Sequence, residues 1–253
     1  MNTIYLPKER MYAGNLILVN REYAYVAGEQ DTNMLLPAWE SLPSVQLHQR
    51  VAILLNQLMQ DIKGWEAILP VSGWRSVLEQ QGIWDQTSKE RGHEFTATYV
   101  AHPGHSEHHT GLAIDLGLNS DCIDPICPSF PYSGICQVFR QHAAKYGFVE
   151  RYLKGKEQIT GIGHEPWHFR YVGAGHAHIM NAHGFVLEEY ISYIKQFTYL
   201  EKPYQMQLGR QLLEISYLPA DREDDTKLDL DPVMPYTISG NNVDGFVITQ
   251  WRM

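Results

Sequence analysis

Between Gly104 and Asp115 the chain reads GHSEHHTGLAID, placing three histidines, a glutamate and an aspartate within twelve residues. Imidazole and carboxylate are groups that zinc takes as ligands. The run continues as LAIDLGL (Leu112–Leu118), whose period-two pattern predicts a strand. Leu112, Ile114, Leu116 and Leu118 then share a core face, and Ala113, Asp115 and Gly117 share the other. Asp115 stands between two small residues, and an ionised carboxylate there needs a partner. Gly111 lets the chain bend so that His108 swings back over that face. His108 and Asp115 are then either two ligands of one cation or a hydrogen-bonded pair holding a loop.

A second segment, GHEPWHFRYVG (Gly163–Gly173), places Glu165 and His168 three apart at the entry to a strand. Trp167, Phe169 and Tyr171 alternate onto an aromatic core face, which leaves His168 and Arg170 on the other. His168 completes a His–Asp–His set. Glu165, ahead of the strand beside Pro166, is expected to lean over the metal without binding it. A catalytic zinc needs three protein ligands, an open position for water and a nearby base. In VSGWRS (Val71–Ser76), Arg75 lies just before a helix N-terminus, an end that favours anions. Arg75 is either an oxyanion stabiliser or one half of a surface salt bridge. His102, His105 and His109 are expected to flank the site, and His164 to neighbour the base. His176 and His178 fall on a predicted helix, where positions two apart do not face one cation, and read as structural.

The elements that must position these groups follow from periodicity and punctuation. Ser44–Lys63 predicts an amphipathic helix stopped by Gly64. AILPV (67–71) predicts a short strand. Ser76 and Glu79 have capping-box spacing for a helix closed by Gly92. Ser133 is placed as the cap of a helix running to Tyr146 and ended by Gly147, and Trp167–Val172 predicts a strand. Helical pieces are expected at Ala174–Ala182 and Leu187–Gln196. Residues 16–26 read as an extended piece, and 221–231 as an acidic linker. Leu212–Leu218 and Phe246–Trp251 read as strands, with turn signals between Ile238 and Phe246.

The net charge of −9 argues against a nucleic-acid partner and an anionic membrane surface. The longest apolar run near the N-terminus, Leu16–Val19, is too short for a signal peptide, and no stretch approaches a membrane span. A cytoplasmic location is therefore expected. Cys122, Cys127 and Cys136 match no common zinc spacing and read as buried thiols.

Three ordered motifs carry a resemblance. S-x-H-x-x-G-x-A-x-D is met by Ser106, His108, Gly111, Ala113 and Asp115; E-x-W-H by Glu165, Trp167 and His168; S-G-x-R-S by Ser72, Gly73, Arg75 and Ser76. Together they closely resemble the zinc D,D-peptidases of bacterial vancomycin resistance, the VanX, VanY and VanXY group. The resemblance implies an α+β fold, with helices packed on a small central antiparallel sheet that carries the zinc site. It implies Zn2+ held by His108, Asp115 and His168, with Glu165 as the base and later the acid. Arg75 would stabilise the oxyanion and Ser106 would help seat the substrate. The implied substrates are the D-Ala-D-Ala dipeptide and peptidoglycan precursors ending in D-Ala-D-Ala. The tract SDCIDPICPSFPYSGICQVF (Ser120–Phe139) is similar to the VanXY kind, which implies a dual dipeptidase and carboxypeptidase. Residues 1–200, with a core at 40–200, are expected to form the peptidase domain, and 201–253 a small β appendage packed on it. The oligomeric state is not indicated. Two rival readings are an L-alanyl-D-glutamate endopeptidase of the same zinc architecture and a non-catalytic zinc-binding module. The latter can dispense with the base, so the presence of both Glu165 and Arg75 argues for catalysis.

Overall fold

The computed structural model describes residues 2–26 and 34–252. In chain order they form β1 (Asn2–Leu6), β2 (Leu35–Pro37), β3 (Gln46–His48), α1 (Gln49–Ile62), β4 (Ile68–Ser72), α2 (Val77–Arg91) and α3 (His93–Tyr99). Next come β5 (Ala113–Leu118), α4 (Gly134–Ala143), β6 (Phe148–Tyr152), α5 (Glu157–Thr160), β7 (Glu165–Tyr171) and α6 (Ala174–His183). The chain ends with α7 (Leu187–Ile194), β8 (Tyr204–Leu208), β9 (Gln211–Pro219), β10 (Thr226–Leu230), β11 (Tyr236–Gly240) and β12 (Gly245–Arg252). Two compact units result, one of residues 19–186 and one of residues 1–18 with 187–253. The division after residue 186 differs from the boundary expected near 200, because α7 belongs with the strands that follow it.

The larger unit is built on an antiparallel sheet of order β4–β5–β7–β6. Ile114 and Leu116 of β5 lie in one core with Trp167, Phe169 and Tyr171 of β7, so the aliphatic and aromatic faces coincide. Val51, Leu55 and Leu58 of α1, at helical spacing, complete that core. Burying each leucine contributes roughly 1.5–3 kcal/mol.

Several boundaries differ from expectation. α1 begins at Gln49 rather than Ser44, because Gln46–His48 pairs with β2 instead. The left-handed residue ending it is Lys63 (φ 52°), not Gly64, whose N–H donates to the Met59 carbonyl. The Ser76–Glu79 capping box is present in full. Ser133 precedes α4 but makes no side-chain cap. α3 and β6 were not anticipated. Of the three cysteines, Cys136 is buried, Cys127 is half-buried and Cys122 is exposed.

The smaller unit has a sheet of order β11–β12–β9–β8 and the separate pair β1–β10. The acidic segment 221–231 is therefore not only a linker. Thr226, Leu228 and Leu230 point inward along β10, and β1 supplies their ladder. The N-terminal strand is Asn2–Leu6, not 16–26. Leu16–Leu18 are buried without strand geometry, since Leu16 N–H donates to Ser239 Oγ and Leu18 N–H to the Asn241 carbonyl. The expected turn is held by Asn241 Oδ1, which accepts the N–H groups of Val243, Asp244 and Gly245. No described helix is long and apolar enough to cross a membrane.

Candidate active site

Strand pairing itself assembles the site. Asp115 of β5 and His168 of β7 are direct cross-strand partners and so share a face. His168 Nδ1 lies 2.9 Å from Asp115 Oδ1. His108 arrives from a short 3-10 turn, Glu107–Thr110, which ends at Gly111 in the left-handed region (φ 67°). Its Nδ1–H donates to the Gly73 carbonyl at 2.6 Å. A carbonyl can only accept, so Nε2 keeps its lone pair, and it faces Asp115 Oδ2 at 3.1 Å. Among the described residues, His108, Asp115 and His168 form a buried group whose ligand atoms all lie within 4.8 Å of one another. Four ligands around one zinc at ~2.0–2.2 Å are spaced about 3.3–3.6 Å apart, so small side-chain movements would bring these three into coordination. The donor set fits the metal.

The electrostatics agree with that reading. Burial, then the Arg75 charge, lowers His108 to about 4, which keeps it neutral at physiological pH. Burial also opposes charge on His168, but the Asp115 charge and hydrogen bond outweigh it and raise His168 to about 9. A cation binding there must displace that proton, as metal ligation generally does. Burial would raise Asp115, yet the two imidazoles together hold it well below the usual carboxylate range.

Glu165 is the first residue of β7, not a residue ahead of it, and its Oε2 lies 3.7 Å from His168 Nδ1. Burial is the largest influence on it and pushes its carboxyl well above the ordinary glutamate value. Arg75 precedes the Ser76 cap of α2, and its Nη2 lies 3.8 Å from Asp115 Oδ2. It is not a surface salt bridge: its Nε is buried with no hydrogen-bond partner among the described residues. Ser106 Oγ accepts the His108 N–H at 3.3 Å and so caps the ligand's own turn. Arg75, Ser106, His108, Asp115, Glu165 and His168 all line one cavity of about 40 Å³.

Among the lining residues that reasoning from the sequence did not single out are Glu107 and Gln80. Glu107 is buried against Arg151 and Arg170, with its Oε1 2.7 Å from Arg151 Nε and 2.8 Å from Arg170 Nη1. Burial would raise this carboxyl, but the two guanidinium charges hold it below the usual range. Gln80 is buried in the same cavity, and its side-chain N–H donates to the Ala101 carbonyl. The signal for Glu107 was its place beside a ligand. Gln80 gave none beyond its position on α2. Of the flanking histidines, His102 and His105 line a neighbouring cavity of about 230 Å³. His109 instead ties Gly104 N–H to the Arg75 carbonyl. His164 meets Tyr132 at 2.8 Å. His176 is buried on α6, which pushes it down to about 4, and His178 bonds the Ala174 carbonyl.

The VanY family, described as D-alanyl-D-alanine carboxypeptidase, matches residues 44–174, a span that contains every residue of this site. The chain belongs to the VanY family. This VanY-family chain is 38% identical over 182 residues to the bifunctional D-Ala-D-Ala dipeptidase and carboxypeptidase VanXYC of Enterococcus gallinarum, covering 72% of this chain and 95% of that one. The crystal structure of the vancomycin resistance D,D-dipeptidase VanXYg, in complex with a D-Ala-D-Ala phosphinate analog, matches with a TM-score of 0.95 and 48% identity. That match covers 99% of each chain, so it includes both units of the VanY-family chain. A mutant of the D,D-pentapeptidase VanY from a VanB-type cassette, solved with Zn(II), matches at TM-score 0.59 and 28% identity over 70% of this chain and 98% of that one.

Proposed function

We propose that the protein is a zinc-dependent D,D-peptidase that hydrolyses D-Ala-D-Ala and removes the terminal D-Ala from peptidoglycan pentapeptide precursors. His108 and His168, whose Nε2 and Nδ1 respectively face Asp115, would hold the ion together with that carboxylate. Zinc bound there supplies a Lewis acid for the scissile carbonyl and lowers the pKa of water. Glu165 takes the proton from the attacking water and returns it to the leaving amine. A buried carboxylate with a raised pKa suits both halves of that transfer, since its affinity for the proton lies closer to neutrality. Arg75 presents a half-buried cationic donor for the developing oxyanion. Ser106 holds the His108 turn and borders the substrate. Depleting precursors that end in D-Ala-D-Ala would give vancomycin resistance. Both substrates are made inside the cell, which favours a cytoplasmic enzyme.

One observation carries the reading: a metal-ligand triad, a buried glutamate and a half-buried arginine converge on a single cavity. A non-catalytic metal module has no need of the last two. The test is hydrolysis of D-Ala-D-Ala and of a UDP-linked pentapeptide, with and without chelator. Zinc-restorable turnover of both substrates is expected. Glu165→Gln should bind zinc and lose about 10²–10⁴ in kcat. Turnover that survives chelation, or an undiminished Glu165→Gln enzyme, would refute the mechanism.

A further inference from the structure

The buried triad Glu107, Arg151 and Arg170 has no part in the steps above, and charges so buried persist only where they are paired. Arg151 and Arg170 are fully buried, and Glu107 is 1% exposed. Strand geometry explains how they meet. Arg170 sits two residues beyond His168 on β7, hence on the same face, and Arg151 lies on the adjacent strand β6. Glu107 reaches them from the turn that also carries His108. Its Oε1 is occupied by both guanidinium groups. Its Oε2 faces His168 Nε2 at 3.5 Å.

That last distance assigns a task. Resting on the metal reading above, His168 uses Nδ1 toward the ion. A neutral imidazole so bound carries its one proton on Nε2, and that nitrogen is itself buried from solvent. We propose that Glu107 is the positioning residue for His168: its carboxylate, anchored by Arg151 and Arg170, accepts the Nε2–H and fixes which ring nitrogen meets the metal. His108 receives the same service from a backbone carbonyl, Gly73 O, at its Nδ1. The two imidazoles thus ligate through opposite nitrogens, each set by a different acceptor. The arginines hold the carboxylate in place from the side away from the ring. Outer partners of this kind typically account for about 10–100-fold in metal affinity.

The experiment measures zinc affinity by competition with a chromophoric chelator, for the wild type, Glu107→Gln and Glu107→Asp. Glu107→Asp keeps the charge that balances the arginines but withdraws the oxygen from His168, so it separates reach from charge balance. Both variants are expected to bind zinc about 10–100-fold more weakly. A second readout uses the unmutated protein. In the zinc-loaded form, NMR should find the His168 Nε2 proton slow to exchange with water and shifted downfield by a carboxylate acceptor. If the variants fail to fold, that signal decides. Folded variants with wild-type zinc affinity, or a fast-exchanging His168 Nε2 proton, would overturn the proposal while leaving the metal site intact. A wild type that binds no zinc would overturn the metal reading and this proposal with it.

Discussion

Gly73 tests how closely the backbone positions a metal ligand. A β-carbon added there would lie 2.2 Å from the Gln46 carbonyl oxygen and 3.1 Å from its carbon. To reach even 3.0 Å, backbone must move by roughly 0.8 Å. The obstacle is β3 main chain rather than the end of a flexible side chain. The Gly73 carbonyl is also the acceptor for His108 Nδ1 at 2.6 Å. A shift of roughly 0.8 Å along that line stretches the contact to about 3.4 Å, beyond a normal N–H···O bond. Gly73→Ala is therefore expected to free the His108 ring, weaken zinc binding by about 10–100-fold and lower kcat/KM by up to ~10², the scale of an ångström-sized misplacement. Chelator competition and D-Ala-D-Ala hydrolysis at limiting and saturating zinc would measure both. Saturating zinc should recover part of the rate. A folded Gly73→Ala protein with wild-type zinc affinity and rate would refute the claim that this carbonyl orients His108.

Arg75→Ala should keep zinc and lose about 10²–10³ in kcat, the usual effect of deleting an oxyanion donor; a change confined to KM would point to ground-state binding instead. For pH, Glu165 must be ionised to act as base, and burial raises its pKa. Activity should therefore fall as pH drops through a value above the ordinary glutamate pKa of about 4.3, seen as the acidic limb of kcat/KM. That limb should vanish from the residual activity of Glu165→Gln. Ser76→Ala removes the cap of α2 and should cost roughly 0.5–2 kcal/mol of stability by denaturant titration, with zinc affinity unchanged.

Much of the site was legible because strand alternation is a strong constraint. The faces of β5 and β7 follow directly from period two, and they place Asp115 and His168 opposite the aliphatic and aromatic core. Arg75 was legible because Ser76 and Glu79 mark the helix start beside it. The Glu107–Arg151–Arg170 cluster was not. Its members come from three separated segments, and each has the look of a solvated charge until the fold closes around it. β10 was hidden for a related reason: its inward residues alternate with Lys227 and Asp229, and its partner β1 lies more than 200 residues away. Leu16–Leu18 look like a strand by composition, but the N–H groups of Leu16 and Leu18 are met by Ser239 Oγ and a turn carbonyl. Nothing local announces that choice.

The central claim is that one divalent cation is gripped by two segments, one ending at Asp115 and the other carrying His168. Anomalous diffraction at the zinc edge, from crystals of the zinc-loaded protein, tests it most directly. The account predicts one peak within about 2.0–2.3 Å of His108 Nε2, an Asp115 carboxylate oxygen and His168 Nδ1, with Glu165 beside it but not bound. A peak elsewhere, or one ligated through His168 Nε2, would contradict it.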